Sequence, residues 1–271
     1  MKRIDGRSND QMRPVRLLLD FLAHPMASVL IECGGTKVVS AVSIENKVPN
    51  WMRVQKVPGG WLTCEYGMLP ASTHERMTRE ATNGKLGGRT MEIQRLIGRS
   101  LRSVLDLQRL RANTIYIDCD VIDADGGTRC ASISGASFAL YLAMRSNMAA
   151  KIFEGNPMRE RVAAVSVGIV AGELLLDLCY EEDSRAEVDM NVVMTESGKL
   201  VEIQGTAERM PFDRKQLNTL LDLAEKGIKE IFAAQDALLE KKRNAAHQGK
   251  TVRRGANLGS LDGVFDALDL K

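Results

Sequence analysis

From Thr114 to about Met148 the chain runs as an apolar strand, an acidic turn with a double glycine, and a helix rich in Ala, Ser and Gly. The strand, Thr114 to Ile122, gives way to Asp123-Ala-Asp-Gly-Gly-Thr-Arg129, and helical composition is expected from Ser132 to about Met148. A helix apolar on most sides and built from small residues suits a position packed closely between other elements. Gly126 and Gly127 carry no Cβ, so the backbone can turn sharply there and approach a ligand. The start of the following helix offers unpaired N–H groups and the positive end of a dipole, which suit an anion. Arg129 adds a fork of donors matching phosphate oxygens, and Thr128 adds a hydroxyl. Taken alone, the segment reads either as an ordinary strand-to-helix turn or as an anion cradle.

Short hairpins alternate with helical periods along the rest of the chain. Ser28–Cys33 and Lys37–Ser43 flank Gly34-Gly35, a strong two-residue hairpin turn. Val162–Val170 and Glu173–Cys179 flank Ala171-Gly172 in the same way, and Asp189–Met194 and Lys199–Ile203 flank a turn carrying Gly198. Alternation of Val188, Met190 and Val192 leaves Asp189 and Asn191 on the opposite face of their strand. Helical spacing links Ile93, Ile97, Leu101 and Val104, and again Leu217 through Phe232, with Asp213 as the expected N-cap of the latter. Each half of the chain therefore reads as hairpin, helix and strand, an α+β fold with an internal pseudo-repeat.

A chain of 271 residues with a formal net charge of +2 is large enough to bury a sizeable core, and its basic residues must cluster if it binds nucleic acid. No apolar run approaches the roughly 20 residues of a membrane span, and the N-terminus lacks a secretion-signal core. The five cysteines are scattered, several inside apolar runs, as small core residues of a reducing compartment would be. The expected address is the cytoplasm. No G-x-x-x-x-G-K-[ST] loop and no G-x-S-x-G elbow occurs, which removes P-loop hydrolases and α/β-hydrolases. Aromatics are sparse beyond Trp51, Trp61 and Tyr66, so a bound nucleic acid would be held chiefly by its backbone.

Three further segments carry possible chemistry. Gly87-Gly88-Arg89 opens an amphipathic helix and repeats the logic of Gly126 to Arg129, so two helix starts can converge on one phosphate; alone, it is a surface loop with a solvated arginine. Glu181, Glu182, Asp183, Glu187 and Asp189 lead into a strand; such oxygens suit Mg²⁺, or else form an acidic surface turn. The segment Thr73 to Lys85, with Arg76 and Arg79, can grip an RNA backbone, form intersubunit ion pairs, or keep a loop soluble.

Gly6-Arg-Ser-Asn-Asp-Gln-Met-Arg-Pro14, Glu65–Pro70, Gly87–Ile97, Asp118–Ala136, Asp183–Thr195 and Ile203-Gln-Gly-Thr-Ala-Glu208 together resemble the bacterial ribonuclease PH family, over about Arg3 to Leu239. The resemblance implies a duplicated α+β fold of the ribosomal protein S5 domain 2 type, spanning residues 1–240; beyond it, 241–271 has no counterpart in the family and reads from its basic residues, its glycines and its lack of periodicity as a flexible C-terminal tail. It implies a phosphate-dependent 3′→5′ exoribonuclease that trims tRNA precursors and other single-stranded 3′ ends, releases nucleoside diphosphates, and runs in reverse to add nucleotides. It further implies a homohexameric ring with no membrane contact. Carried over by position, Arg89, Gly127, Thr128 and Arg129 would bind inorganic phosphate, and Asp183 and Asp189 would hold Mg²⁺ or supply acid catalysis. Arg76 and Arg79 would contact RNA. Ala71 stands where relatives often carry an arginine, and Cys130 replaces a threonine. The alternative is a ring subunit that binds RNA without catalysis, and the retention of Arg89, Arg129, Asp183 and Asp189 weighs against it.

Overall fold

A computed structural model describes residues 3–146, 149–153 and 155–247. Two units are delimited, Met1–Asp236 and Ala237–Lys271. In chain order the elements are β1 (Val15–Leu19), β2 (Ala27–Cys33), β3 (Thr36–Glu45), α1 (Asn50–Gln55), β4 (Trp61–Met68), α2 (Gly88–Ser103), β5 (Thr114–Asp123) and α3 (Thr128–Met144). They continue with α4 (Ala149–Ile152), β6 (Val162–Val170), β7 (Glu173–Leu176), α5 (Tyr180–Asp183), β8 (Val188–Thr195), β9 (Leu200–Ala207) and α6 (Arg214–His247). The first sheet has the order β1-β2-β3-β5-β4 and the second β7-β6-β8-β9. All neighbouring strands are antiparallel except β4 and β5, whose parallel pairing leaves room for α2 as the crossover.

The three expected hairpins form. Gly34 and Gly172 take positive φ values of +57° and +77°, as tight turns between right-twisted strands require. Helix α3 lies between the sheets, against β2, β3 and β5 on one side and β6 on the other. Its small residues are what permit this. A Cβ on Gly135 would stand 2.8 Å from Ile31 Cγ2. Short β7 pairs with β6 only from Val167 onward. The amides of Val162 and Ala164, beyond its reach, donate instead to Ser137 Oγ (2.9 Å) and Ser134 Oγ (2.9 Å) of α3. Buried N–H groups are thereby satisfied by the helix that covers them.

The opposite face of the second sheet carries Ala163, Val165, Val167, Val188, Met190 and Val192, packed against Leu220, Ala224, Ile228 and Ile231 of α6. That leaves Asp189 and Asn191 on the α3 face, as the alternation predicts, and Asn191 Oδ1 accepts from Cys130 Sγ at 3.1 Å. Asp213 and Gln216 cap α6 reciprocally, each side chain accepting from the other's amide at 2.8 Å.

Helix α3 begins at Thr128, four residues before the expected Ser132, because Gly127 adopts the left-handed conformation (φ +67°) and serves as its N-cap. It ends at Met144; Met148, its expected end, lies outside the described residues. Helix α6 is continuous through 241–247, where the sequence suggested a tail, and the remainder of that tail, 248–271, lies outside the described residues. All five cysteines are free and buried. Among the described residues no helix is long and apolar enough to cross a membrane.

Candidate active site

The glycine turn before α3 is held from beneath by a residue of the N-terminal segment. Arg13 is buried, and its Nε and Nη2 donate to the two carboxylate oxygens of Asp177 at 2.9 and 2.7 Å. The same guanidinium donates to the carbonyls of Asp125 and Gly126, so one planar fork joins Asp177 to the turn. Burial alone would raise the Asp177 carboxyl, but the hydrogen bonds and charge of Arg13, with help from Arg7, hold it below its ordinary value. From the other side Thr36 Oγ1 donates to Gly126 O (2.6 Å) and accepts from Asp125 N (2.9 Å). Gly126, at φ +75°, lies so close to the chain entering α5 that a Cβ there would stand 2.6 Å from Leu178 O. The turn and α5 therefore share one backbone contact, which sets the first turn of α3 beside the acidic segment.

No side chain caps α3, so its first N–H groups remain open to an anion. Thr128 Oγ1 is paired with the Tyr66 hydroxyl at 3.0 Å. Arg129 Nη1 donates to Gln204 Oε1 at 2.6 Å and Glu92 Oε1 at 3.2 Å. Helix α2 differs from the expectation of a second vacant helix start. Glu80 Oε1 accepts from Gly87 N (3.1 Å) and Thr90 Oγ1 (2.7 Å), so a carboxylate already stands at that helix start. What α2 offers the site is Arg89, exposed and without a hydrogen bond or ion pair among the described residues.

Asp183 ends α5, whose single turn is fixed by Glu182. That buried carboxylate accepts from Arg3 Nε and Nη2 at 2.8 and 2.6 Å and from Cys179 N at 3.1 Å. Burial pushes the Asp183 carboxyl above its ordinary value against the opposing charges of Arg89, Arg129 and Arg13. Asp189 is pushed up to about 6, first by burial and then by the charge of Asp183, with Arg129 and a hydrogen bond from Asn191 opposing. Arg89, Gly127, Thr128, Arg129, Asp183 and Asp189 thus lie around one place. The carboxylates of Asp183 and Asp189 are an oxygen-only donor pair beside half-buried Arg129 and exposed Arg89, which fits Mg²⁺ retaining several waters. Among the described residues no group of three or more metal-ligating side chains occurs.

The side chains of Arg76 and Arg79 are exposed on the segment between β4 and α2 and make no hydrogen bond or ion pair among the described residues. Sequence reasoning gave no role to Arg13, Asp177, Arg3, Glu80, Tyr66, Glu92 or Gln204, and it grouped Glu182 with the Mg²⁺ candidates where the structure engages it with Arg3. Arg13 and Gln204 lie within the recurring segments Gly6–Pro14 and Ile203–Glu208, the only signal that pointed to them.

Comparison with known proteins identifies the family and the fold. Residues 11–146 match domain 1 of the 3′ exoribonuclease family and residues 160–227 match its domain 2. The fold is similar to rice (Oryza sativa) Rrp46, with 18% identity and a TM-score of 0.71, covering 88% of this chain and 100% of that one. It is similar to the Archaeoglobus fulgidus exosome solved with RNA bound to its active site, at 22% identity and a TM-score of 0.72, covering 86% and 92% of the two chains. An archaeal exosome core gives 22% identity and a TM-score of 0.69, covering 87% and 91%. At these identities the likeness shows the fold.

Proposed function

This chain belongs to the 3′ exoribonuclease family, and on that premise we propose that it shortens RNA from the 3′ end with inorganic phosphate as the attacking group. The observation that carries the reading is the meeting of the uncapped α3 start, Arg129 and Arg89 with Asp183 and Asp189. Phosphate and the scissile phosphodiester are both anionic, and bringing them together demands neutralisation. The α3 amides with Arg89 and Arg129 supply it for phosphate. Asp183 and Asp189 are the residues that would hold Mg²⁺, which when bound supplies further charge stabilisation at the reacting phosphoryl group.

In the forward direction an oxygen of phosphate attacks the phosphorus of the terminal 3′,5′ linkage. The bond to the penultimate 3′ oxygen breaks, the terminal nucleotide leaves as a nucleoside diphosphate, and the 3′ oxygen takes a proton. Where Asp189 is not itself a metal ligand, its carboxyl, raised to about 6, retains a proton closer to neutrality than an ordinary carboxyl does and is suited to deliver it. The reverse reaction returns the proton to Asp189 and extends the RNA. Arg76 and Arg79, exposed and unpaired among the described residues, suit the RNA backbone. The resemblance to bacterial ribonuclease PH supports tRNA precursors among the substrates, a homohexameric ring and a cytoplasmic location.

The test is incubation with a 3′-extended tRNA and Mg²⁺, with and without phosphate, identifying the released nucleotides. Nucleoside diphosphates appearing only with phosphate are expected. Monophosphates released without phosphate would make the protein a hydrolase, and no release would make it a non-catalytic ring subunit.

A further inference from the structure

Arg129, Glu92 and Gln204 form a closed triangle of hydrogen bonds drawn from three elements. Arg129 Nη1 donates to Gln204 Oε1 (2.6 Å) and to Glu92 Oε1 (3.2 Å), and Gln204 Nε2 donates to that same Glu92 oxygen at 2.6 Å. Glu92 sits on α2, Arg129 on α3, and Gln204 on β9 of the second sheet. Glu92 can only accept and Arg129 can only donate, so the Gln204 amide between them is held with its nitrogen toward the carboxylate and its oxygen toward the arginine.

Arginine has five N–H donors in a rigid plane, and fixing one nitrogen fixes the direction of the rest. Here Nη1 is engaged, while the Nε–Nη2 edge makes no hydrogen bond among the described residues. That edge is the one that pairs with two oxygens of a phosphate at once. We propose that Glu92 and Gln204 are positioning residues that clamp Nη1 of Arg129, so that its two-donor edge is presented to phosphate before phosphate arrives. This rests on the reading of Arg129 as a phosphate ligand and deepens it: a residue of the second sheet completes a phosphate site otherwise built from α2 and α3. Without the clamp, a long side chain samples many rotamers, and ordering it on binding lowers affinity. The site is then competent only when β9 lies against α2, a contact also made by Arg99 with Glu202.

The test compares Gln204→Met, which keeps the side chain's size and removes its amide, with Glu92→Ala, Glu92→Gln and Arg129→Ala. The readouts are the KM for phosphate, kcat, RNA affinity, and binding of inorganic phosphate by calorimetry, which needs no turnover. The expected result for Gln204→Met and Glu92→Ala is a roughly ten-fold rise in phosphate KM and Kd, with kcat within about two-fold and RNA affinity unchanged. Glu92→Gln, which keeps an acceptor oxygen, should recover most of the loss. Adding Gln204→Met to Arg129→Ala should change nothing more.

Unchanged phosphate affinity in Gln204→Met and Glu92→Ala, beside a large loss in Arg129→Ala, overturns the clamp alone. Full additivity with Arg129→Ala also overturns it, because the clamp acts only through that arginine. Unchanged phosphate affinity in Arg129→Ala itself overturns the phosphate-site reading on which the clamp rests. If Gln204→Met lowers thermal stability and kcat together with no specific phosphate effect, the triangle is a structural staple and the proposal fails.

Discussion

Gly126 and Leu178 approach so closely that the space for a Cβ on the glycine is occupied by the leucine's carbonyl oxygen, 2.6 Å away. The contact joins the glycine turn before α3 to the chain that leads into α5. Gly126→Ala would add this collision to the strain of a side chain at φ +75°, and an expected loss of about 2–4 kcal/mol follows. Gly172→Ala is the control, because φ there is +77° but nothing lies within 4 Å, so only about 1 kcal/mol is expected. Chemical denaturation of the two variants checks this; equal losses would show that conformation alone, and not the contact, sets the cost.

Replacing Arg13 with alanine should destabilise the fold by about 3–5 kcal/mol, because the buried Asp177 carboxylate loses the donors that hold its charge. Arg13→Lys should recover little, since one ammonium cannot reach both Asp177 and the carbonyls of Asp125 and Gly126. Thermal melts measure both, and a lysine variant as stable as the parent would refute the bidentate account.

Arg129→Ala and Arg89→Ala should each raise the phosphate requirement roughly 10- to 100-fold, with a much smaller effect on RNA affinity. Arg76→Ala with Arg79→Ala should do the reverse, lowering RNA affinity and its salt dependence while leaving the phosphate KM unchanged. Titrations with phosphate and with labelled RNA separate these outcomes, and equal losses in both would dissolve the division into two binding regions.

Asp189 makes a signed prediction for pH. Its carboxyl rises from an ordinary 3.8 to about 6 in the fold, so folding disfavours its ionised form. Below 3.8 both states are protonated and no penalty exists; the penalty builds between 3.8 and about 6 and is complete above. Asp189→Asn should therefore gain up to about 3 kcal/mol at pH 8 and none at pH 3, in a chelating buffer, while losing turnover. Melts at the two pH values decide it, and a pH-independent difference would remove the burial argument.

Local chemistry made much of the fold legible. The alternation in Val188, Met190 and Val192 assigned Asp189 to its face, and turn glycines marked the hairpins, because both signals lie within a few residues. The start of α3 was misplaced because Gly127 caps the helix through its backbone conformation, which leaves no capping side chain to read. Glu80 was missed for a related reason, since it reaches the start of α2 from seven residues upstream, in a stretch without periodicity. Arg13 and Arg129 find Asp177 and Gln204 at separations of 164 and 75 residues, and no local pattern specifies such pairs.

The N-terminal arginines carry a consequence for the order of synthesis. Arg3 and Arg13 reach partners 179 and 164 residues away, Glu182 and Asp177. A nascent chain therefore holds its first arginines unmatched while most of the polypeptide is being made. Because the same two pairs fix the glycine turn before α3 and the turn bearing Asp183, a chain that ends before Asp177 has neither turn fixed. The place where Arg129, Asp183 and Asp189 meet therefore forms only after Asp189 has been made, late in synthesis.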